Sequence, residues 1–77
     1  MTRILIITPF RNEDHAIPQY LESLRAMDYP KNLIDLYWLE NDSTDTTLKL
    51  LKTARSEMPF SSTELKSVKI QIGRAHV

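Results

Sequence analysis

The chain has 77 residues with ten basic and ten acidic side chains, a formal net charge of zero, and a length at the lower end of what closes one hydrophobic core, so it is one domain or part of one. A balanced charge supplies no long-range field for polyanions, which argues against nucleic acid or an anionic membrane surface as partner. Cysteine is absent, which excludes disulfides, thiolate metal sites and cysteine nucleophiles and suits a reducing compartment.

Residues 3–8 predict a first strand, because Ile4, Leu5, Ile6 and Ile7 form an unbroken apolar run, rich in β-branched side chains, that stops at Pro9. An apolar strand without alternation predicts cover on both faces, as in the middle of a parallel sheet. The run is too short for a signal-peptide core or a membrane span, and no later segment approaches span length. The segment is therefore expected to be cytoplasmic or cytosol-facing.

A polar loop over residues 9–15 leads into Ile17, Tyr20, Leu21, Leu24 and Met27 at helical spacing, with Pro18 tolerated in the first turn. A turn at residues 28–32 precedes a second strand over 33–39. Residues 40–45 predict a loop into a second helix, with Ser43, Thr44 or Asp45 as its N-cap and an end near Glu57, ahead of Pro59. Leu48, Leu51, Ala54 and Met58 define its buried face, whereas Lys49, Lys52 and Arg55 belong to solvent. Residues 61–63 read as loop and 65–70 as a third strand. The β-α-β-α-β order of this α/β chain implies right-handed crossovers and a parallel sheet. Residues 72–77 look like the translation of a common sequencing-library adapter and are set apart as a tail, with the domain placed at residues 1–71.

Ligands of such sheets bind at the carboxyl ends of the strands. Two polar loops lie there: one with Arg11, Asn12, Glu13, Asp14 and His15, the other with Glu40, Asn41, Asp42, Ser43, Thr44 and Asp45. Side by side they predict a mixed-charge pocket. The only glycine is Gly73, so neither a dinucleotide-binding GxGxxG nor a Walker A loop is present, and nucleotide recognition must come mainly from side chains.

The run Ile4-Leu5-Ile6-Ile7-Thr8-Pro9-Phe10-Arg11-Asn12-Glu13 resembles the first strand and Pro-x-x-Asn-Glu loop of inverting family 2 glycosyltransferases. Leu36-Tyr37-Trp38-Leu39-Glu40-Asn41-Asp42-Ser43-Thr44-Asp45 resembles their second strand and acidic loop, and Tyr29-Pro30-Lys31-Asn32-Leu33-Ile34 is similar to fungal mannan-type mannosyltransferases. The resemblance covers about residues 3–52. It implies the truncated N-terminal part of a Rossmann-like GT-A fold, a UDP- or GDP-linked sugar donor, a divalent metal (Mg or Mn), and a glycan, lipid or protein acceptor.

Carried over by position, it implies a nucleotide-sugar site of Pro9, Arg11, Asn12, Glu13, Glu40, Asn41, Asp42 and Asp45. The pattern of two carboxylates before Gly-Ser-Thr-Asp is broken: Glu40 and Asn41 hold the carboxylate positions and Asp42 stands where the glycine usually does. An Asn at the base-contacting position matches uracil N3–H and O4, whereas guanine suits a carboxylate such as Glu40 or Asp42. The family's metal-binding Asp-x-Asp motif and its general base fall beyond the matched residues, so no catalytic or metal-binding residue is assigned.

Blander roles compete with these. Residues 40–45 suit any helix start, His15 reads as a solvated loop residue, and Tyr37 and Trp38 must face opposite sides of a strand and suit core packing. Arg11 with Glu13 or Asp14 would make a surface ion pair. A non-catalytic α/β binding module remains open on the Glu40-Asn41-Asp42 departure, and a sugar nucleotidyltransferase stands behind it because the glycines of that class are missing. With its first strand exposed as an apolar edge, the isolated chain is expected to be marginally folded or aggregation-prone.

Overall fold

The computed structural model describes residues 2–69. Its elements run β1 (Ile4–Phe10), α1 (Ile17–Arg25), a 3₁₀ turn (Lys31–Leu33), β2 (Ile34–Asn41), α2 (Thr47–Arg55) and β3 (Ser62–Val68). The three strands form one parallel sheet in the order β1-β2-β3. The fold is thus α/β, as the alternation of strands and helices predicts. The tail at residues 72–77 and the expected end of the third strand at Ile70 lie outside the described residues.

Alternation along β2 sorts the sheet into two sides. Ile34, Leu36, Trp38 and Glu40 turn to one side and are buried. Ile17 and Leu24 of α1 and Leu51 and Ala54 of α2 join the same core cluster, so both helices pack on that side. Two successive right-handed crossovers running in one direction along a sheet give this result. The other side lacks a helical layer among the described residues.

The first strand therefore departs from the expectation of cover on both faces. Burial alternates along β1, leaving Leu5 58% and Ile7 62% exposed while Ile4 and Ile6 pack against the core. Composition could not reveal this, because both sides of the strand are apolar. The strand also runs past Pro9 to Phe10. Among the described residues it pairs only with β2, and an edge strand tolerates a residue without an N–H.

Phe10, Tyr20 and Trp38 meet edge to face at ring-centroid distances of 5.3 to 6.3 Å. The Tyr20 hydroxyl accepts from Trp38 Nε1 at 3.1 Å and shares a 2.9 Å bond with Thr8 Oγ1, which satisfies the polar tips of this aromatic cluster. Trp38 is buried and Tyr37 only half-buried, on opposite sides of β2. At the amino end of the sheet, Arg3 binds Asp35 through Nε at 2.8 Å and Nη2 at 3.0 Å, and Ser62 Oγ donates to the same carboxylate at 2.7 Å. The Arg3 bond is the largest of the influences that hold Asp35 below the ordinary aspartate range.

Candidate functional site

Glu40 and Asn41 belong to β2 rather than to the loop, since the strand continues to Asn41. Being adjacent, they face opposite ways. Glu40 turns under the helices, and Asn41 turns to the open side with Leu39 and Tyr37. Glu40 is 1% exposed, yet both its oxygens have partners: Ser67 Oγ of β3 donates to Oε1 at 2.5 Å and the Ser43 amide to Oε2 at 2.5 Å. Burial alone would raise its pKa. The donors from Ser67 and Ser43 outweigh that effect and hold the carboxyl below the ordinary value of 4.5.

The two loops at the carboxyl ends of β1 and β2 are joined bond by bond. The Asn12 amide donates to Ser43 Oγ at 3.0 Å, and Asn12 Oδ1 accepts from the Thr44 amide at 2.7 Å and its hydroxyl at 3.3 Å. Glu13 N donates to Thr47 Oγ1 at 2.8 Å, and Asp14 N to Asp45 Oδ2 at 3.2 Å. In return, Asp14 Oδ2 accepts from the Thr46 amide at 3.3 Å and hydroxyl at 2.8 Å. Asp45 Oδ1 takes the amide of Thr47 at 2.9 Å and its hydroxyl at 2.5 Å. Burial pushes the Asp45 carboxyl up, but these Thr47 donors and the Asp14 amide hold it below the ordinary aspartate range.

This network relocates the helix start. The expected caps Ser43, Thr44 and Asp45 precede the true N-cap, Thr46, which makes no side-chain capping bond because its hydroxyl donates to Asp14. The helix ends at Arg55 rather than near Glu57. Asn12 and Asp42 both take positive φ, 51° and 47°. No glycine occurs among the described residues, and Asn and Asp are the next residues to tolerate that conformation. Asp42, standing where the resembled pattern has glycine, thus occupies a position whose backbone geometry favours glycine.

The remaining predicted site residues lie around this joint. Pro9, Arg11 and Glu13 are exposed, and no ion pair joins Arg11 to Glu13 or Asp14 among the described residues; Asp14 lies 3.9 Å from His15. Asp42 is 3.8 Å from Lys69 Nζ. Asn41 is half-buried at the end of β2, opposite Val68. A shallow open groove lined by Ser43, Asp45, Leu48, Lys49, Lys52 and Thr53 starts at the seam residues Ser43 and Asp45 and runs along α2. The supports that sequence reasoning missed are Ser67 and Thr47. Thr47 hid inside a helical pattern, and Ser67 lies 27 residues from the carboxylate it serves, so no local signal links them.

Among the described residues no group of three or more His, Cys, Asp or Glu side chains is placed to hold a metal ion. At the rim Asp14 Oδ2 and both oxygens of Glu40 and of Asp45 accept from hydroxyls and amides. No helix is long and apolar enough to cross a membrane among the residues described.

A model of the Anp1 family matches residues 1–76. The chain is 43% identical over 49 residues, 64% of its length, to the mannan polymerase II complex ANP1 subunit of Saccharomyces cerevisiae, of which it covers 10%. It is 36% identical over 50 residues, 65% of its length, to the corresponding subunit of Schizosaccharomyces pombe, of which it covers 12%. It is 27% identical over 67 residues, 87% of its length, to the Staphylococcus aureus poly(ribitol-phosphate) beta-N-acetylglucosaminyltransferase TarS, again covering 12%. The chain therefore spans about a tenth of the length of these curated relatives. No solved structure matches it.

Proposed function

The chain belongs to the Anp1 family and its function is glycosyltransferase-related; on that premise we propose that the rim where β1 and β2 end takes the nucleotide of a nucleotide-diphospho-sugar. The observation that carries this reading is the joining of the two strand-end loops through Asn12, Asp14 and residues 43–47. It gives a single ordered edge at the place where α/β sheets bind ligands. Asn41, at the end of β2 on the open side, offers the base one acceptor and one donor, the pattern of uracil N3–H and O4. A guanine would need a carboxylate. Glu40 has both oxygens occupied, so that role would fall to Asp42. Arg11 supplies a guanidinium for the phosphates, beside Pro9 and Glu13.

Within this reading the protein to which the segment belongs transfers a sugar to a hydroxyl of a glycan, lipid or protein acceptor, on the cytosolic side. No transfer step is assigned to the residues described.

Calorimetric titration of the chain with uridine, guanosine and adenosine diphosphates tests the proposal. Binding of the uridine or guanosine compound with rejection of the adenosine one is the expected result, together with a loss of about tenfold in affinity for Arg11→Ala. Equal response to all three, or to none, would favour the second reading, a non-catalytic α/β binding module. The Glu40-Asn41-Asp42 departure from the usual acidic pair is the observation that supports that alternative.

A further inference from the structure

We propose that Asn12 and Asp14 are positioning residues that hold the second loop of the rim from the neighbouring loop, Asn12 at Thr44 and Asp14 at the N-cap of α2. Four amides between β2 and α2 donate to side-chain oxygens: Ser43 to Glu40, Thr44 to Asn12, Thr46 to Asp14 and Thr47 to Asp45. Two of the four acceptors are local and two come from the β1–α1 loop, about thirty positions earlier in the chain. The N-cap residue Thr46 makes no capping bond of its own, so Asp14 supplies both an acceptor and a negative charge at the positive end of the helix. Asn12 holds the amide of Thr44, two residues ahead of the N-cap, through its neutral side-chain oxygen, in the left-handed conformation that Asn tolerates without glycine.

One consequence concerns the ligand and rests on the function proposed above. Because these amides already donate to protein oxygens, a nucleotide's phosphates do not take them as they take the helix amides of a glycine-rich phosphate loop. The phosphates fall instead to cationic side chains of the rim, of which Arg11 is unpartnered among the described residues.

Amide solvent exchange, read by NMR on the 77-residue chain, tests the positioning role without reference to any ligand. Asn12→Ala is expected to speed exchange at the Thr44 amide about fivefold, and Asp14→Ala to do so at Thr46. The Leu36 and Trp38 amides of the core should stay at the wild-type rate. Asn12→Asp and Asp14→Asn each keep an acceptor oxygen and should bring the rate most of the way back to wild type, Asp14→Asn falling short by the charge it loses. Asn12→Gly keeps the easy positive φ but lacks the acceptor, and should behave as Asn12→Ala.

Unchanged exchange at Thr44 and Thr46 in the alanine variants, or no rescue by the variants that keep an oxygen, would overturn the proposal. If an alanine variant does not fold, the contrast of Asn12→Gly with Asn12→Asp decides. Uridine diphosphate affinity is measured alongside. Should the wild-type chain bind no nucleotide, the functional reading fails while the exchange series still judges the positioning.

Discussion

On the helix side of the sheet Ile34, Leu36 and Trp38 are wholly buried, whereas on the other side Leu5 and Ile7 of β1 lie open, with Tyr37 and Leu39 of β2 half-covered. On β1 both sides are apolar, whereas the open side also carries Asp35 and Asn41 of β2 and Glu64 and Lys66 of β3. The direction of the crossovers sets which side the helices cover: β1 to β2 to β3 advances one way across the sheet and stacks both helices together. Parallel sheets are ordinarily covered on both faces, and among the described residues this one is covered by helices on one side.

The sharpest test of this asymmetry is Trp38→Ala. It removes a fully buried side chain and the donor to Tyr20, and should cost about 3–5 kcal/mol, enough to unfold a domain of this size in urea titration. A loss under about 1 kcal/mol would mean that the helix side is not the core.

Glu40→Ala is expected to cost about 1–3 kcal/mol in the same titration, because the donors of Ser43 and Ser67 lose a buried acceptor. Protonation should act in the same direction. The folded pKa values of Glu40, Asp45 and Asp35 all lie below their ordinary values. Their contribution is therefore full above the unfolded carboxyl pKa and is lost as pH falls through the lowered folded values. Circular dichroism during acid titration should show destabilisation beginning below about pH 4.5, with a shallower slope for Glu40→Gln. A chain that grows more stable on acidification would contradict the sign.

Asp42→Gly relieves a positive φ of 47° at the cost of an exposed ion pair with Lys69. Thermal melting should show a gain of about 0.5 kcal/mol, and Asp42→Ala a loss of about 1 kcal/mol. The smallest effect on folding is expected on the open side. Leu5→Lys with Ile7→Lys should alter the stability of the monomer by less than about 1 kcal/mol, while removing any dependence of the melting temperature on protein concentration. A large loss of stability would show that side to be packed.

The strand and helix order was legible because period-two and helical patterns are local properties: Ile17 and Leu24 of α1 and Leu51 and Ala54 of α2 all reached the core, and Lys49, Lys52 and Arg55 stayed exposed. Boundaries at the loops were less so. Ser43, Thr44 and Asp45 are good caps by type, and Asp45 does accept from the Thr47 amide, but the N-cap position is Thr46, whose own amide goes to Asp14 of the other loop. The polar clusters at residues 11–15 and 40–45 were visible as candidate site loops. Which groups bind each other there was not, since the sheet register sets Glu40 opposite Ser67 and the Glu13 amide meets the Thr47 hydroxyl from 34 positions away in the chain. Asp42 lies between these cases: the resembled glycine pointed to its unusual backbone, and its positive φ gives that pattern a physical cause.

The most direct test of the central claim is backbone amide chemical-shift mapping as uridine or guanosine diphosphate is added to the chain. Shifts concentrated at residues 10–14 and 40–44, with the core amides of α1 unmoved, are the result predicted for a nucleotide rim at the ends of β1 and β2. Shifts confined to the α2 groove around Lys49 and Lys52, or no shifts at all, would contradict it.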